Sequence, residues 1–188
     1  IDPQLVWATI YGSTGWDGPM SIDCDPSGNI FVTGYTAGDV GFPLVNPGGG
    51  AYYQGVGGGL FVFKFNNNGT LLWATFYGPI TVNTDFSNFI CTDLAGNVFI
   101  TGCTQNNSFP MANPLAGSYS QGTIAGGEDI FILEFSNAGA LIWATFYGGV
   151  QNDFAYSLCT DASGNVFVTG STFSAAFPVL SAGTYFQN

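Results

Sequence analysis

Leu71-Leu72-Trp73-Ala74-Thr75-Phe76-Tyr77-Gly78 decides the fold, because the chain writes it three times. It stands first as Leu5-Val6-Trp7-Ala8-Thr9-Ile10-Tyr11-Gly12 and last as Leu141-Ile142-Trp143-Ala144-Thr145-Phe146-Tyr147-Gly148. The three Trp residues lie 66 and 70 residues apart. A second block, residues 25–34, returns at 93–102 and 161–170, 68 residues on each time. Phe42-Pro43, Phe109-Pro110 and Phe177-Pro178 form a third series. Tyr52, Tyr119 and Tyr185, each two residues before a Gln, form a fourth. Residues 60–69 match 130–139 as a fifth. Recurrence at such a period is the mark of a stacked repeat architecture.

Each unit reads as four strands, A to D. In the middle unit they are expected at 88–92, 97–104, 129–136 and 140–147, all rich in Val, Ile, Phe, Thr and Trp. Asp93-Leu94-Ala95-Gly96-Asn97 and Ser136-Asn137-Ala138-Gly139 are tight hairpin signals between A and B and between C and D. The B–C connection is long and carries the Phe-Pro and Tyr-x-Gln pairs. Strands such as 71–77 are almost continuously apolar, whereas a sheet with one wet face alternates. The sheets are therefore expected to be covered on both faces. Four-stranded units of about 68 residues, covered on both sides, describe the blades of an all-β, β-propeller-type protein of antiparallel sheets. A β-solenoid has shorter repeats and lacks two tight hairpins in each.

The pattern Asp-x-x-Gly-Asn-Val-Phe-Val-Thr-Gly-x-Thr at 161–172, with Gly-Gly-x-Asp-x-Phe at 126–131 and Leu-x-Trp-Ala-Thr-x-Tyr-Gly-Gly at 141–149, resembles the bacterial beta-propeller repeat family, SBBP. The first repeat departs from it, with Leu60 read in the place of Asp129. The resemblance implies a secreted or surface-anchored bacterial protein and no established activity.

The units divide the chain as an outer D strand at 1–12, one blade at 13–78, a second at 79–148 and a partial, terminal blade at 149–188. Eleven strands make fewer than the four to eight blades of a closed propeller. Either the chain is part of a longer protein or copies complete one another. The second option gives the sequence its main functional expectation. A neighbour's D strand, with Leu5, Trp7, Ile10 and Tyr11, joins an incomplete blade by strand addition and builds a ring or filament.

Composition narrows the partners. The 188 residues carry 12 Asp and Glu against one Lys or Arg and no His, a formal charge of −11. One cation cannot neutralise a nucleic acid backbone or an anionic membrane surface. Without His there is no His general base and no His metal ligand. No apolar run is long enough for a transmembrane helix. The cysteines Cys24, Cys91, Cys103 and Cys159 lack CxxC spacing and read as small buried hydrophobes. The near absence of Lys and Arg beside many Asn, Thr, Ser and Gly suggests an extracellular protein.

Chemistry-bearing residues are few. Asp17, Asp85 and Asp153 precede strand A in each unit; they either line a channel mouth, where a hydrolase would use them, or cap local N–H groups. Repetition in every unit favours capping. Asp25, Asp93 and Asp161 open the A–B hairpins and read as Asx turns. Asp23, Asp25 and Ser27 resemble the start of a calcium loop, calcium being the one cofactor considered. Phe31 then occupies a later ligand position, and Cys91 and Cys159 replace Asp23 in the other units. Glu128, Asp129 and Glu134 are the acids a glycosidase pair would draw on. Glu134 aligns with Lys64, and a swap of sign at one position suggests a solvated or blade-pairing site more than a catalytic one. Tyr52, Tyr53, Tyr119 and Tyr185, with amides beside them, suit either a carbohydrate-binding adhesin or burial over the blade edge. The expected function is a non-enzymatic surface or matrix module that binds itself, with carbohydrate binding as the alternative.

Overall fold

The A–B hairpins show how these residues become sheets. Asp25 accepts the Ser27 and Asn29 backbone N–H groups at 2.9 Å each, and Asn29 Nδ2 donates to its second oxygen at 2.7 Å. Asp161 is held in the same way by Ser163 and Asn165, and Asp93 by Asn97. The turn closes on Gly28, Gly96 and Gly164 at φ of +78, +78 and +80°, a region that L side chains avoid. The three Asx-turn readings hold.

A computed structural model describes residues 4–38, 40–79, 88–113 and 117–180. Among these the structure is all-β, in antiparallel sheets. The first sheet holds β1 (Asp17–Cys24), β2 (Ile30–Thr36), β3 (Gly59–Phe65) and β4 (Leu71–Tyr77) in that order. The second holds β5 (Phe89–Thr92), β6 (Val98–Thr104), β7 (Asp129–Phe135) and β8 (Leu141–Tyr147). The third pairs β9 (Asp153–Thr160) with β10 (Val166–Thr172). Strands A to D of the sequence are thus found in order. Registers repeat as well: Gly34 pairs with Phe61 and Gly102 with Phe131. The same registers set Gly59 opposite Thr36 and Asp129 opposite Thr104. The counterpart of Asp129 in the first unit is therefore Gly59, not Leu60.

The sheets stack face over face. Phe31, Leu60, Val62, Trp73 and Tyr77 of the first sheet interlock with Ile90, Val98, Ile100, Phe131, Leu133 and Phe135 of the second in one buried core. All seven residues of β3 and of β6 are buried, as their apolar runs foretold. Cys91, Phe99 and Leu158 carry the packing on to the third sheet. The A strands β1, β5 and β9 lie side by side along one margin of the stack.

The opposite margin is closed by the long B–C connections. Val45 exchanges two backbone hydrogen bonds with Ala74 of β4, at 3.1 and 3.0 Å, and Ala112 accepts one from Ala144 of β8 at 2.7 Å. Loops that pair with the outer strand blunt an edge that would otherwise invite aggregation.

Two expectations are corrected. Residues 5–11 pair with no strand among the described residues and instead lie against the first unit, Trp7 on Asn67 and Tyr11 on Phe42 and Pro43. Cys24 and Cys159 are exposed, and only Cys91 and Cys103 are buried. A cysteine on an A strand is covered only where a further sheet packs beside it.

Candidate functional site

The junction between sheets is built by residues the repeat supplies each time. Trp73 Nε1 donates to Asn137 O at 3.3 Å, from the D strand of one sheet to the C–D turn of the next. Trp7 Nε1 donates to Asn67 O at 3.0 Å, and Asn67 is the counterpart of Asn137. The hydroxyls of Tyr11, Tyr77 and Tyr147 donate to the carbonyls of Pro43, Pro110 and Pro178. Those tyrosine rings lie 5.3, 5.6 and 4.8 Å from Phe42, Phe109 and Phe177. Residues 5–11 therefore sit on the first sheet as β4 sits on the second: a D segment in place, without the A, B and C strands beside it.

Trp143 marks the other end. It has no following C–D turn among the described residues, and its Nε1 turns back to Tyr119 O at 3.0 Å.

This arrangement leaves one open apolar face at each end. At the leading end a groove of about 480 Å³ runs between residues 7–11 and β1 to β3, lined by Trp7, Tyr11, Met20, Ile22, Val32 and Phe63 among others. Ile22 is 66% exposed, whereas its counterparts Ile90 and Leu158, each beneath a neighbouring sheet, are 6% and 7% exposed. Leu5, Val6 and Ile10 stand outward beside it. At the trailing end, Phe167 is 54% exposed where Phe31 and Phe99 are buried. There the second edge of β10 pairs with no strand among the described residues.

Asp17 and Asp153 are engaged within the fold. Asp17 accepts the Ser13 N–H and hydroxyl, and Asp153 accepts the Gly149 N–H at 2.7 Å and the Ser174 hydroxyl at 3.0 Å. Both tie down the connection from strand D to strand A, as caps do. Asp153 is fully buried, which removes it from any channel mouth. Asp85 lies outside the described residues.

Asp23 Oδ2 reaches across to Thr92, accepting its N–H at 2.7 Å and its hydroxyl at 2.9 Å. Asp25 faces its own turn and Asn137 Nδ2 at 2.9 Å. The carboxylates of Asp23 and Asp25 thus serve different neighbours, and Ser27 enters the site through its backbone N–H. No group of three or more His, Cys, Asp or Glu among the described residues is placed to hold a metal ion.

The loop tyrosines divide. Tyr52 packs 5.1 Å from Tyr77 and 6.1 Å from Phe135, its hydroxyl donates to Gln54 Oε1, and its N–H donates to Gly139 O. It is mortar between two sheets. Tyr119 makes the equivalent bond to Gln121 and lies 5.1 Å from Tyr147, but is exposed, with no following C–D turn over it among the described residues. Tyr53 is exposed as well, and Tyr185 lies outside the described residues.

The aligned positions of Lys64 and Glu134 read in the sequence as a solvated or blade-pairing site. The structure sends Lys64 Nζ to the Asn137 side chain and, at 3.1 Å, to the Asn137 carbonyl, 5.0 Å above the Phe31 ring. Asn137 Nδ2 also donates to Gly96 O at 2.9 Å. Asp25, Asn137 and the chain's one cation thus form a buried polar tie between the sheets. Glu134 holds the matching place one sheet further on.

The buried acids set a pH dependence. Asp129 is held above its ordinary value by burial and then by the Asp153 charge, and Glu134 by burial and then by Asp93. Both bind a proton more readily folded than unfolded, so acidification through their folded values stabilises the protein. Asp25 runs the other way. Burial pushes it up, but hydrogen bonds from Asn29, Asn137 and Ser27 together hold it below its ordinary value. Its contribution is complete above the unfolded pKa of about 3.9 and is lost as pH falls through the folded one. The Tm should rise as pH is lowered from neutrality toward the ordinary carboxylate range and fall below about 4. A Tm that drops steadily from neutrality contradicts this assignment.

Antiparallel four-stranded sheets stacked face over face, joined by the same Trp, Tyr and Phe-Pro contacts at each step, define a β-propeller-type repeat protein. Residues 142–178, from β8 through β10 to the Phe177-Pro178 pair, match the family model described as a beta-propeller repeat, SBBP, so the chain carries a repeat of that family. A WD repeat-containing protein of Acanthamoeba polyphaga mimivirus, L264, described as uncharacterized, is 26% identical over 122 residues. The match covers 59% of this chain and 9% of that protein.

Proposed function

We propose that this protein is a non-enzymatic, extracellular structural module whose work is to bind other protein surfaces, first of all its own. The observation that carries the reading is the pair of open faces. The leading face offers Ile22, Val32 and the groove beside residues 7–11, and the trailing end offers Phe167 and the edge of β10 that pairs with no strand among the described residues. The two are counterparts of surfaces that already meet inside the chain. A head-to-tail contact between copies would repeat the junction between the first and second sheets. If the rotation closes, a ring forms; if it does not, a filament.

The low charge fits this role. Among the described residues much of it sits in turns and caps, at Asp17, Asp25, Asp93, Asp153 and Asp161. A neutral Asn- and Thr-rich surface opposes the approach of a second copy less than a heavily charged one. The match to a beta-propeller repeat family supports the coarse reading of a repeat protein that engages other proteins.

Light scattering across a concentration series tests the proposal. The mass of the wild-type chain should grow with concentration, and Ile10→Asp/Ile22→Asp should stay monomeric. Both residues are exposed, so the variant keeps its fold. Equal masses for the two proteins would end the self-association reading.

A further inference from the structure

The A strands meet in a fixed register, and it repeats. At the first junction Asp23 of β1 touches Thr92 of β5 through side chains, the Thr92 hydroxyl lying 2.9 Å from Asp23 Oδ2. At the second, the same two places hold Cys91 of β5 and Thr160 of β9, with a hydrogen bond from Thr160 on the Cys91 side chain. The Thr160 hydroxyl also donates to Thr92 O at 2.9 Å, as the Thr92 hydroxyl reaches Cys24 O at 3.1 Å. Cys24, Thr92 and Thr160 are thus one series of equivalent positions, and Asp23, Cys91 and Cys159 are the other.

Carried one junction further, the register leaves Cys159 of β9 facing whatever sheet comes next. If that sheet is the first sheet of a second copy, the facing residue is Cys24. We propose that Cys159 of one copy and Cys24 of the next form an intermolecular disulfide that locks the head-to-tail junction. The inference rests on the self-association reading and gives that junction a covalent site.

Two observations support it. Cys24 and Cys159 are free and exposed, whereas Cys91 and Cys103 are buried. In addition, side chains at both existing junctions are in direct contact. Only a small closing movement, available between separate molecules, is needed to reach the Cβ separation of a disulfide, about 3.8 Å. An intermolecular disulfide also suits an extracellular protein, where such bonds persist.

The chemistry is ordinary exchange with a small disulfide as oxidant. One cysteine thiolate attacks the oxidant, forming a mixed disulfide and releasing one small thiol. The second cysteine attacks that mixed disulfide, forming the Cys24–Cys159 bond and releasing the other small thiol. The two cysteine protons end on the two released thiols, and the oxidant takes both electrons.

The test uses the full chain with oxidised glutathione. Wild type should give a ladder of covalent oligomers on a non-reducing gel, and peptide mapping should find Cys24 joined to Cys159. Cys24→Ser alone and Cys159→Ser alone should stay monomeric on that gel. An equal mixture of the two should stop at a covalent dimer, because only one complementary pair remains. A ladder built from Cys24–Cys24 or Cys159–Cys159 bonds, or a dimer from either variant alone, would overturn the lock. Light scattering under reductant separates the layers: assembly without the Cys24–Cys159 bond on oxidation overturns the lock alone. A chain that is monomeric under reductant and unlinked under oxidant overturns the lock and self-association together.

Discussion

Replacing Phe131 by alanine should cost about 3–5 kcal/mol of folding stability, the range for a buried phenylalanine in a close-packed core. Phe131 is 2% exposed and lies 5.1 Å from Phe109, in the cluster that joins the first two sheets. It stands opposite Gly102, as Phe61 stands opposite Gly34, where an added Cβ would meet the Phe61 ring at 2.6 Å. Phe131 is buried within that cluster, so the ring's loss leaves a cavity in a close-packed core. Chemical denaturation should show the two sheets unfolding together in the wild type and a lower midpoint in the variant. A loss below about 1 kcal/mol would mean that the face between the sheets is not a packed core.

Asn137→Ala should cost about 2–3 kcal/mol, most of it from partners left behind. The side chain accepts from Lys64 and donates to Asp25 and Gly96 O. Lys64 and Asp25 are 3% and 5% exposed, so neither charge regains full hydration when the amide goes. The double variant Asn137→Ala/Lys64→Met should recover part of the loss, because the buried ammonium that has lost its side-chain acceptor and keeps only the backbone carbonyl at 137 is then gone. Denaturant midpoints of the three proteins measure this. A double variant less stable than Asn137→Ala would show that Lys64 is held by something other than Asn137.

Much of this architecture is legible in the residues. The thrice-written Leu-x-Trp-Ala-Thr-x-Tyr block and the Asp-x-x-Gly-Asn turns locate strands and hairpins because both act locally: apolar runs demand cover, and an Asx turn needs only its own five residues. Pairing across distance is less legible. Residues 5–11 carry the same block as β4 and β8 yet join no sheet among the described residues, since a strand needs neighbours that its own sequence does not contain. The Lys64 partner was also hidden, because alignment of Lys64 with Glu134 says they are equivalent. What Lys64 reaches on the second sheet is the C–D turn at Asn137. The tyrosines follow the same logic. Tyr52 and Tyr119 have nearly the same sequence surroundings, and what separates the half-buried ring from the exposed one is the C–D turn of the next sheet, which Tyr52 meets at Gly139 O.

Electron microscopy of the purified chain under reducing conditions tests the central claim, that its open sheet faces join copies head to tail. The account predicts rings or filaments in which each subunit repeats the junction seen between the first and second sheets, and their loss in Ile10→Asp/Ile22→Asp. A field of single-chain particles at concentrations where the mass should have grown would contradict it.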